Sequence, residues 1–329
     1  AESLDRSAPS ATPRAPSGRG RTTPTPNEAK RPADLPVGTS AEVPASVLFS
    51  WPPAATVDKP LRDFCFASGC QVHVVGPGDD RVASAMFGQL SDLEGLGPSF
   101  AFLMSGAETL RYGVCVRRPE IVEMPPSFVT DCAAARVVDP FAEPCCVSDR
   151  VYIIVSRFPF FDLFFSVLYA LVARERLVLQ SVSQGAVGAA GNGAEHHEYN
   201  PLLILQSMFT APVPAPDRPF VLRSKGAGSL MLEAPPGEDH EQLARWALKQ
   251  ASSLLSVDNW LLIIAGLLLE ARIVFLSHCP GKASACAFAC LPLLRPWGFQ
   301  GSFVPLLPRS LLEALAAPVP YVIGVAMPP

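Results

Sequence analysis

The residues that could do chemistry come first. Gly281-Lys282 follows an apolar run at Arg272 to Ser277, the position a phosphate-binding loop takes between a strand and a helix. That loop needs a glycine five residues before the Gly-Lys pair and a hydroxyl directly after it, so that backbone N–H groups cradle phosphate and the hydroxyl meets Mg²⁺. Leu276 and Ala283 stand there instead, so Gly281-Lys282 reads as an ordinary turn. Ser229 lacks the flanking glycines of a nucleophile elbow, and His196-His197-Glu198 lacks the i, i+4 histidine spacing of a zinc helix. Glu270 has Arg272 close by, so the two are expected to pair rather than supply a general base. Cys145-Cys146 is vicinal, without the C-x-x-C spacing of a metal or redox site. No nucleophile, base and orienting group assemble in the pattern. Covalent catalysis, a metal and a cofactor are therefore not expected.

The elements that would present such a surface follow from periodicity. Ser46 to Trp51, Gln71 to Val75, Phe100 to Met104, Tyr112 to Val116 and Val151 to Val155 read as five strands. Arg81 to Leu90 has a weak helical period, and residues 117 to 147, rich in proline, read as a loop or insertion. Beyond Ser156-Arg157, Pro159 suits a helix start, and Phe161, Phe164, Phe165, Leu168, Leu171 and Val172 recur at helical spacing to about Leu179. Ser181 to Gly193 carries Gly185, Gly188, Gly191 and Gly193 with no strand before and no helix after, so it reads as a linker. The second half is a helix at Pro201 to Phe209, a hairpin at Phe220 to Arg223 and Ser229 to Glu233, and helices capped by Asp239 and Asp258. Strand Arg272 to Ser277, a helix from about Lys282 to Leu291, strand Gly301 to Leu306, a short helix Ser310 to Ala316 and strand Tyr321 to Val325 complete it. That alternation implies a mostly parallel sheet.

Composition bounds the rest. The chain has 329 residues, room for about two domains, and a net charge of −4, which argues against nucleic acid as a partner. It carries 35 prolines, about twice the usual ~5% share, so long unbroken helices should be few. The longest apolar run, Trp260 to Leu269, is far short of the ~18 residues of a membrane span. The nine cysteines, an odd number, mostly have apolar neighbours and read as small buried hydrophobes in a reducing, cytoplasmic compartment. Residues 1–44 contain no aromatic residue and are rich in Pro and Ser, with Arg14, Arg19, Arg21, Lys30 and Arg31 making them basic. They read as a disordered tail. No apolar signal core precedes them, and the start at Ala1 reads as a fragment or a processed end.

Six stretches carry a resemblance. Leu61-Arg62-Asp63-Phe64-Cys65-Phe66, Leu110-Arg111-Tyr112-Gly113-Val114-Cys115 and Ser156-Arg157-Phe158-Pro159-Phe160-Phe161 come first. Leu267 to Ser277, Trp297 to Pro308 and Pro318 to Val325 follow. In this order they resemble the upstream and core segments of the DENN family. The resemblance implies a bilobed α/β fold: a longin-like upstream lobe over 45–180, a Gly/Ala-rich linker over 181–198, and a mostly parallel core lobe over 199–329, with the downstream segment absent. It also implies a guanine-nucleotide exchange factor for a Rab-type small GTPase, recruited peripherally to vesicle membranes. The GTPase contacts are expected where the lobes meet, at Ser156, Arg157 and Phe158 and at Arg295, Trp297 and Gln300. The alternative is a DENN-type scaffold, or a GTPase-activating module with Arg157 as an arginine finger.

Overall fold

A computed structural model describes residues 36–53, 57, 59–88, 94–105, 109–124, 126, 139–183, 201–224 and 230–328. The chain is mixed α/β, with an antiparallel sheet and a parallel sheet. The first half contributes β1 (Ser40–Glu42), α1 (Lys59–Cys65), β2 (Gln71–Val75), α2 (Asp80–Phe87), β3 (Ser99–Ser105), β4 (Leu110–Ile121), β5 (Cys145–Ser156) and α3 (Phe161–Ser183). Its five strands pair antiparallel in the order β1-β2-β5-β4-β3. Then come α4 (Leu202–Thr210), the hairpin β6 (Phe220–Ser224) and β7 (Leu230–Ala234), α5 (Asp239–Ser252) and α6 (Val257–Leu268). The parallel sheet follows: β8 (Ile273–Ser277), α7 (Pro280–Leu293), β9 (Ser302–Leu307), the 3₁₀ segment η1 (Arg309–Ala316) and β10 (Tyr321–Ala326), in the order β8-β10-β9.

Several expectations need correction. Residues 46–51 form no strand; Val47 and Leu48 are exposed, so the burial that would stabilise a strand is missing. The edge strand lies earlier, at Ser40–Glu42, inside the stretch expected to be a disordered tail, where it pairs with Gln71–His73. Residues 1–35 of that tail lie outside the described residues. The loop expected over 117–147 is largely strand at both ends, because β4 runs on to Ile121 and pairs with β5 through Val147. Pro119 sits within that ladder. The centre of that stretch, and most of the expected linker, lie outside the described residues. Helix α1 had no signal beyond its motif. The two acidic caps fall elsewhere: Glu238 and Glu241 form a capping box on α5, and Ser256 accepts from Asn259 N–H on α6.

Glu270 and Arg272 form no ion pair; both are exposed. Glu270 instead takes the left-handed conformation, φ 53°, that ends α6. Ala271 N–H bonds Gly266 O at 2.8 Å and Glu270 N–H bonds Leu267 O at 3.2 Å, the pair of bonds of a Schellman end. That is why the Leu-Glu-Ala-Arg run turns sharply from helix to strand.

The two sheets remain separate, and helix α7 packs against both. Gly281, Ala283, Ser284, Ala285, Cys286, Ala287, Phe288, Ala289 and Cys290 are all buried, and Lys282 alone in that run is exposed. Small side chains let the helix come close to β3 on one side and to β9 and β10 on the other. A Cβ on Gly281 would lie 2.1 Å from Leu96 O and 2.2 Å from Ser99 O. A Cβ on Gly324, in β10, would lie 2.1 Å from Pro305 O. Around Phe288 the aromatic rings of both halves meet. Phe161 lies 5.3 Å away and Phe303 5.6 Å, while Trp246 sits 5.1 Å from Phe161 in an edge-on contact. One hydrophobic cluster therefore draws on β3, β4, β5, α3, α5 and α7.

Gly281→Ala and Gly324→Ala are each expected to lower stability by about 3 kcal/mol, since backbone carbonyls cannot rotate away as a side-chain tip can. Lys282→Ala is expected to stay within ~0.5 kcal/mol. Urea denaturation followed by circular dichroism measures both; equal effects at 281 and 282 would contradict the close approach.

Candidate interaction surface

The surface worth building begins where β5 ends. Ser156 closes the strand, opposite Tyr112 of β4, and Tyr112 in turn sits opposite Leu103 of β3. The Ser156 hydroxyl accepts the Phe158 N–H at 3.0 Å, a short side-chain turn that redirects the chain. Phe161 N–H bonds Pro159 O at 2.8 Å, and α3 starts. Phe158 stacks on Phe160, centroids 5.4 Å apart, and is half-buried against the core, so its ring mainly packs. Arg157 is different: it is exposed and makes no ion pair among the described residues.

The second set lies in the loop between α7 and β9. Arg295 is exposed, its N–H bonding Pro292 O as the helix ends. Trp297 is 68% exposed, which removes core packing as the reason for an indole there. Gln300 is exposed and donates to Gly298 O at 3.3 Å. The chain then crosses Pro320 closely at Gly301 and enters β9. No hydrogen bond or ion pair joins the two sets among the described residues. Their link is indirect: Tyr112, opposite Ser156, and Phe303, three residues after Gln300, both pack on Phe288, at 6.3 and 5.6 Å.

Sequence patterning missed one further feature. A slot of about 360 Å³ opens between the facing sheet edges, lined among others by Phe64, Leu103, Met104, Phe303, Val304 and Leu311. Its walls come from residues some two hundred positions apart. The motifs at Leu61 to Phe66 and Leu110 to Cys115 contribute to it, but nothing in their spacing shows that they face β9.

The other polar groups are structural. Gly281 presses on the carbonyls of Leu96 and Ser99, which leaves no room for phosphate and presents oxygens to it, so the phosphate-loop reading is excluded. A buried charge network ties α2 to the sheet. Arg118 Nε lies 2.6 Å from Glu120 Oε1, Arg150 Nη1 lies 3.4 Å from Glu120 Oε2, and Arg118 Nη2 donates to Ala85 O at 2.9 Å. Burial raises the Glu120 carboxyl above its ordinary range, with Arg118, Arg150 and Arg176 pulling it back. At ~3.4 Å per residue, this network sits about 20 Å along β4 from Tyr112. Among the described residues no cluster of three or more His, Cys, Asp or Glu could hold a metal. None of the described helices is long and apolar enough to cross a membrane. Val257, Leu261, Leu262, Leu268 and Leu269 of the α6 region are 60–80% exposed, whereas Val274 and Leu276 of the edge strand β8 are exposed on the other side of the sheet from Ile273 and Phe275, which pack against α6.

With the geometry in place, comparison with known proteins is direct. The DENN (AEX-3) domain family model matches residues 147–328, from β5 through the last strand. The chain belongs to this family. Human DENN domain-containing protein 2C is 29% identical over 181 residues, which is 54% of this chain and 17% of that protein. Mouse DENN domain-containing protein 2B is 28% identical over 177 residues, 53% of this chain and 14% of that protein. DENN domain-containing protein C297.05 of Schizosaccharomyces pombe is 40% identical over 70 residues, 21% of this chain and 7% of that protein. The match thus spans less than a fifth of the length of each of these three relatives.

The cysteines give a test of this surface map. Cys145 and Cys146 point to opposite faces of β5, into different clusters, so they cannot act as one site. Burial pushes their thiols to about 11 and about 12, with Glu123 adding to both. Burial does the same for Cys286, to about 11, and Cys290, to about 12. The unfolded chain releases these protons from about pH 9, whereas the folded chain holds them to pH 11–12. The stability they contribute is therefore complete below pH 9 and lost as pH rises through 11–12. Among the described cysteines, Cys279 alone is not buried, so thiol labelling at pH 8 followed by mass spectrometry should mark Cys279 before the other seven described cysteines. Rapid labelling of Cys286 or Cys290 in the native protein would contradict the packing of α7.

Proposed function

We propose that this chain is a guanine-nucleotide exchange module that speeds GDP release from a Rab-type GTPase by binding its switch regions across the seam between the two halves. The observation that carries the reading is membership of the DENN family over residues 147–328. That family is generally tied to Rab exchange, and the match covers both Arg157 and Trp297. Residues 45–180 then act as the upstream, longin-like lobe, a reading supported by the five-stranded antiparallel sheet, and residues 199–329 act as the core lobe. Such a module works at cytoplasmic membranes of the trafficking pathway, bound there peripherally.

The mechanism makes and breaks no covalent bond. GDP held with nM to pM affinity is stabilised by about 12 to 16 kcal/mol, so spontaneous release is slow. An exchange factor speeds release by binding the nucleotide-free conformer better than the GDP-bound one. A preference of ~10⁴-fold needs about 5.5 kcal/mol of differential contact. A standard interface of ~1,600 Å² in total supplies enough area for that. Because α7 fills the space between the sheets, the body of the GTPase lies across the seam rather than between the sheets. Arg157, Arg295, Trp297 and Gln300 stand ready on its two sides, and Ser156 and Phe158 hold the turn that presents Arg157.

A second reading has one observation in its favour. Arg157 is exposed and makes no ion pair among the described residues, as suits an arginine finger for GTP hydrolysis. Labelled-GDP release and GTP hydrolysis, measured with this chain across a panel of Rab proteins, separate the two. Exchange predicts faster GDP release with at least one member, lowered ~10-fold or more by Trp297→Ala. Hydrolysis accelerated without release, and abolished by Arg157→Lys, would select the finger. No effect on either rate with any Rab would refute the exchange reading.

A further inference from the structure

The two sheets meet edge to edge. β3 is the outer strand of the antiparallel sheet and β9 the outer strand of the parallel one, and they run side by side without forming a ladder. On one side of this meeting the gap is closed: Phe64, Phe100 and Phe102 pack with Leu306 in one cluster. Near Leu103 to Ser105 the edges part, and the slot of about 360 Å³ opens there. Its volume falls in the range of small-molecule pockets, ~300–1,000 Å³, but its chemistry does not suit one. Ser105 is the single lining residue with a polar side chain, so little could orient a free ligand. The rim is also apolar and open to solvent, with Leu110 and Leu311 about half exposed. A side chain already fixed on a protein surface needs no orienting groups.

Charge defines that protein further. Arg111 lies opposite Met104, which lines the slot, and Arg157 follows Ser156, opposite Tyr112. Both arginines are exposed, and neither makes an ion pair among the described residues. An apolar recess with one exposed guanidinium on the neighbouring strand, at Arg111, and a second beyond it at the end of β5, at Arg157, is complementary to an apolar residue flanked by carboxylates.

We propose that this slot is the anchor point for one bulky aliphatic or aromatic side chain of the GTPase, presented by a segment whose neighbouring Asp or Glu residues meet Arg111 and Arg157. The proposal rests on the exchange reading above and adds the chemistry by which the seam holds its partner. Seating such a side chain in the slot only when the nucleotide is gone would favour the nucleotide-free conformer by about ten- to a hundred-fold.

The test uses the whole chain and the Rab that responds best in the exchange panel. Leu311→Glu and Leu110→Glu put a charge at the slot from half-exposed positions, and Arg111→Glu reverses the rim. Leu262→Glu, on the open face of α6, is the control. The two slot variants are expected to weaken binding of the nucleotide-free Rab at least ~10-fold by calorimetry, with melting temperatures unchanged. Arg111→Glu is expected to slow association about threefold at low salt and not at high salt. Leu262→Glu should change nothing. If both slot variants bind and exchange like the parent chain, the anchor is overturned while the exchange reading stands. If the parent chain binds and accelerates no Rab, the exchange reading fails and this assignment falls with it.

Discussion

The close approach of α7 to two sheets at once is the constraint on which the architecture depends. Ordinary α/β packing leaves a sheet and a helix separated by the length of their side chains. Here Gly281, Ala283, Ala285, Ala287 and Ala289 reduce that length to a methyl group or less, and Ser284 adds only a hydroxyl to it. The main chain of α7 consequently presses on the carbonyls of Leu96 and Ser99 at its start, and on β10 at Gly324. Phe288 is the large exception, and it projects into the ring cluster formed by Phe161, Trp246 and Phe303. Dispersion and apolar burial are short-ranged, so this geometry joins the halves far more firmly than a hinged pair of lobes.

The consequences reach the surface. Because α7 holds β3 beside β9, the outer edges of two separate sheets cover each other, which removes two exposed strand edges that would otherwise invite pairing with other chains. It also fixes where Ser156 and Phe303 stand, through the rings of Tyr112 and Phe288. The exchange reading proposed above would require such rigidity, since differential contact is lost when the contacting elements move with the partner. The Arg118–Glu120–Arg150 network serves the same end farther along β4, where it bonds α2 and the turn after β4 to the sheet.

Much of this was legible in the residues, and the reasons are local. The β-branched runs at Ile273 to Ser277 and Tyr321 to Ala326, with helical spacing between, gave the parallel sheet its strands and crossovers. The phenylalanine spacing of α3 placed its buried face correctly. Ser46 to Trp51 misled because apolar content without burial does not make a strand. Residues 117 to 121 misled because Pro119 looks like a breaker, yet it lies in the β4–β5 ladder. Glu270 and Arg272 misled because sequence proximity says nothing of a left-handed turn between them. Of the six expected contact residues, the exposure of Arg157, Arg295, Trp297 and Gln300 suits binding, while Phe158 mostly packs. The slot was invisible, since it is a gap between strands whose neighbourhood only α7 creates.

Native-state hydrogen exchange across a denaturant series tests the shared core most directly. If α7 joins both sheets into one unit, the slowest amides of β4, β5, α7 and β10 open with a common free energy equal to that of global unfolding. A parallel sheet whose amides exchange through a separate, lower-energy opening while the antiparallel sheet stays protected would contradict it.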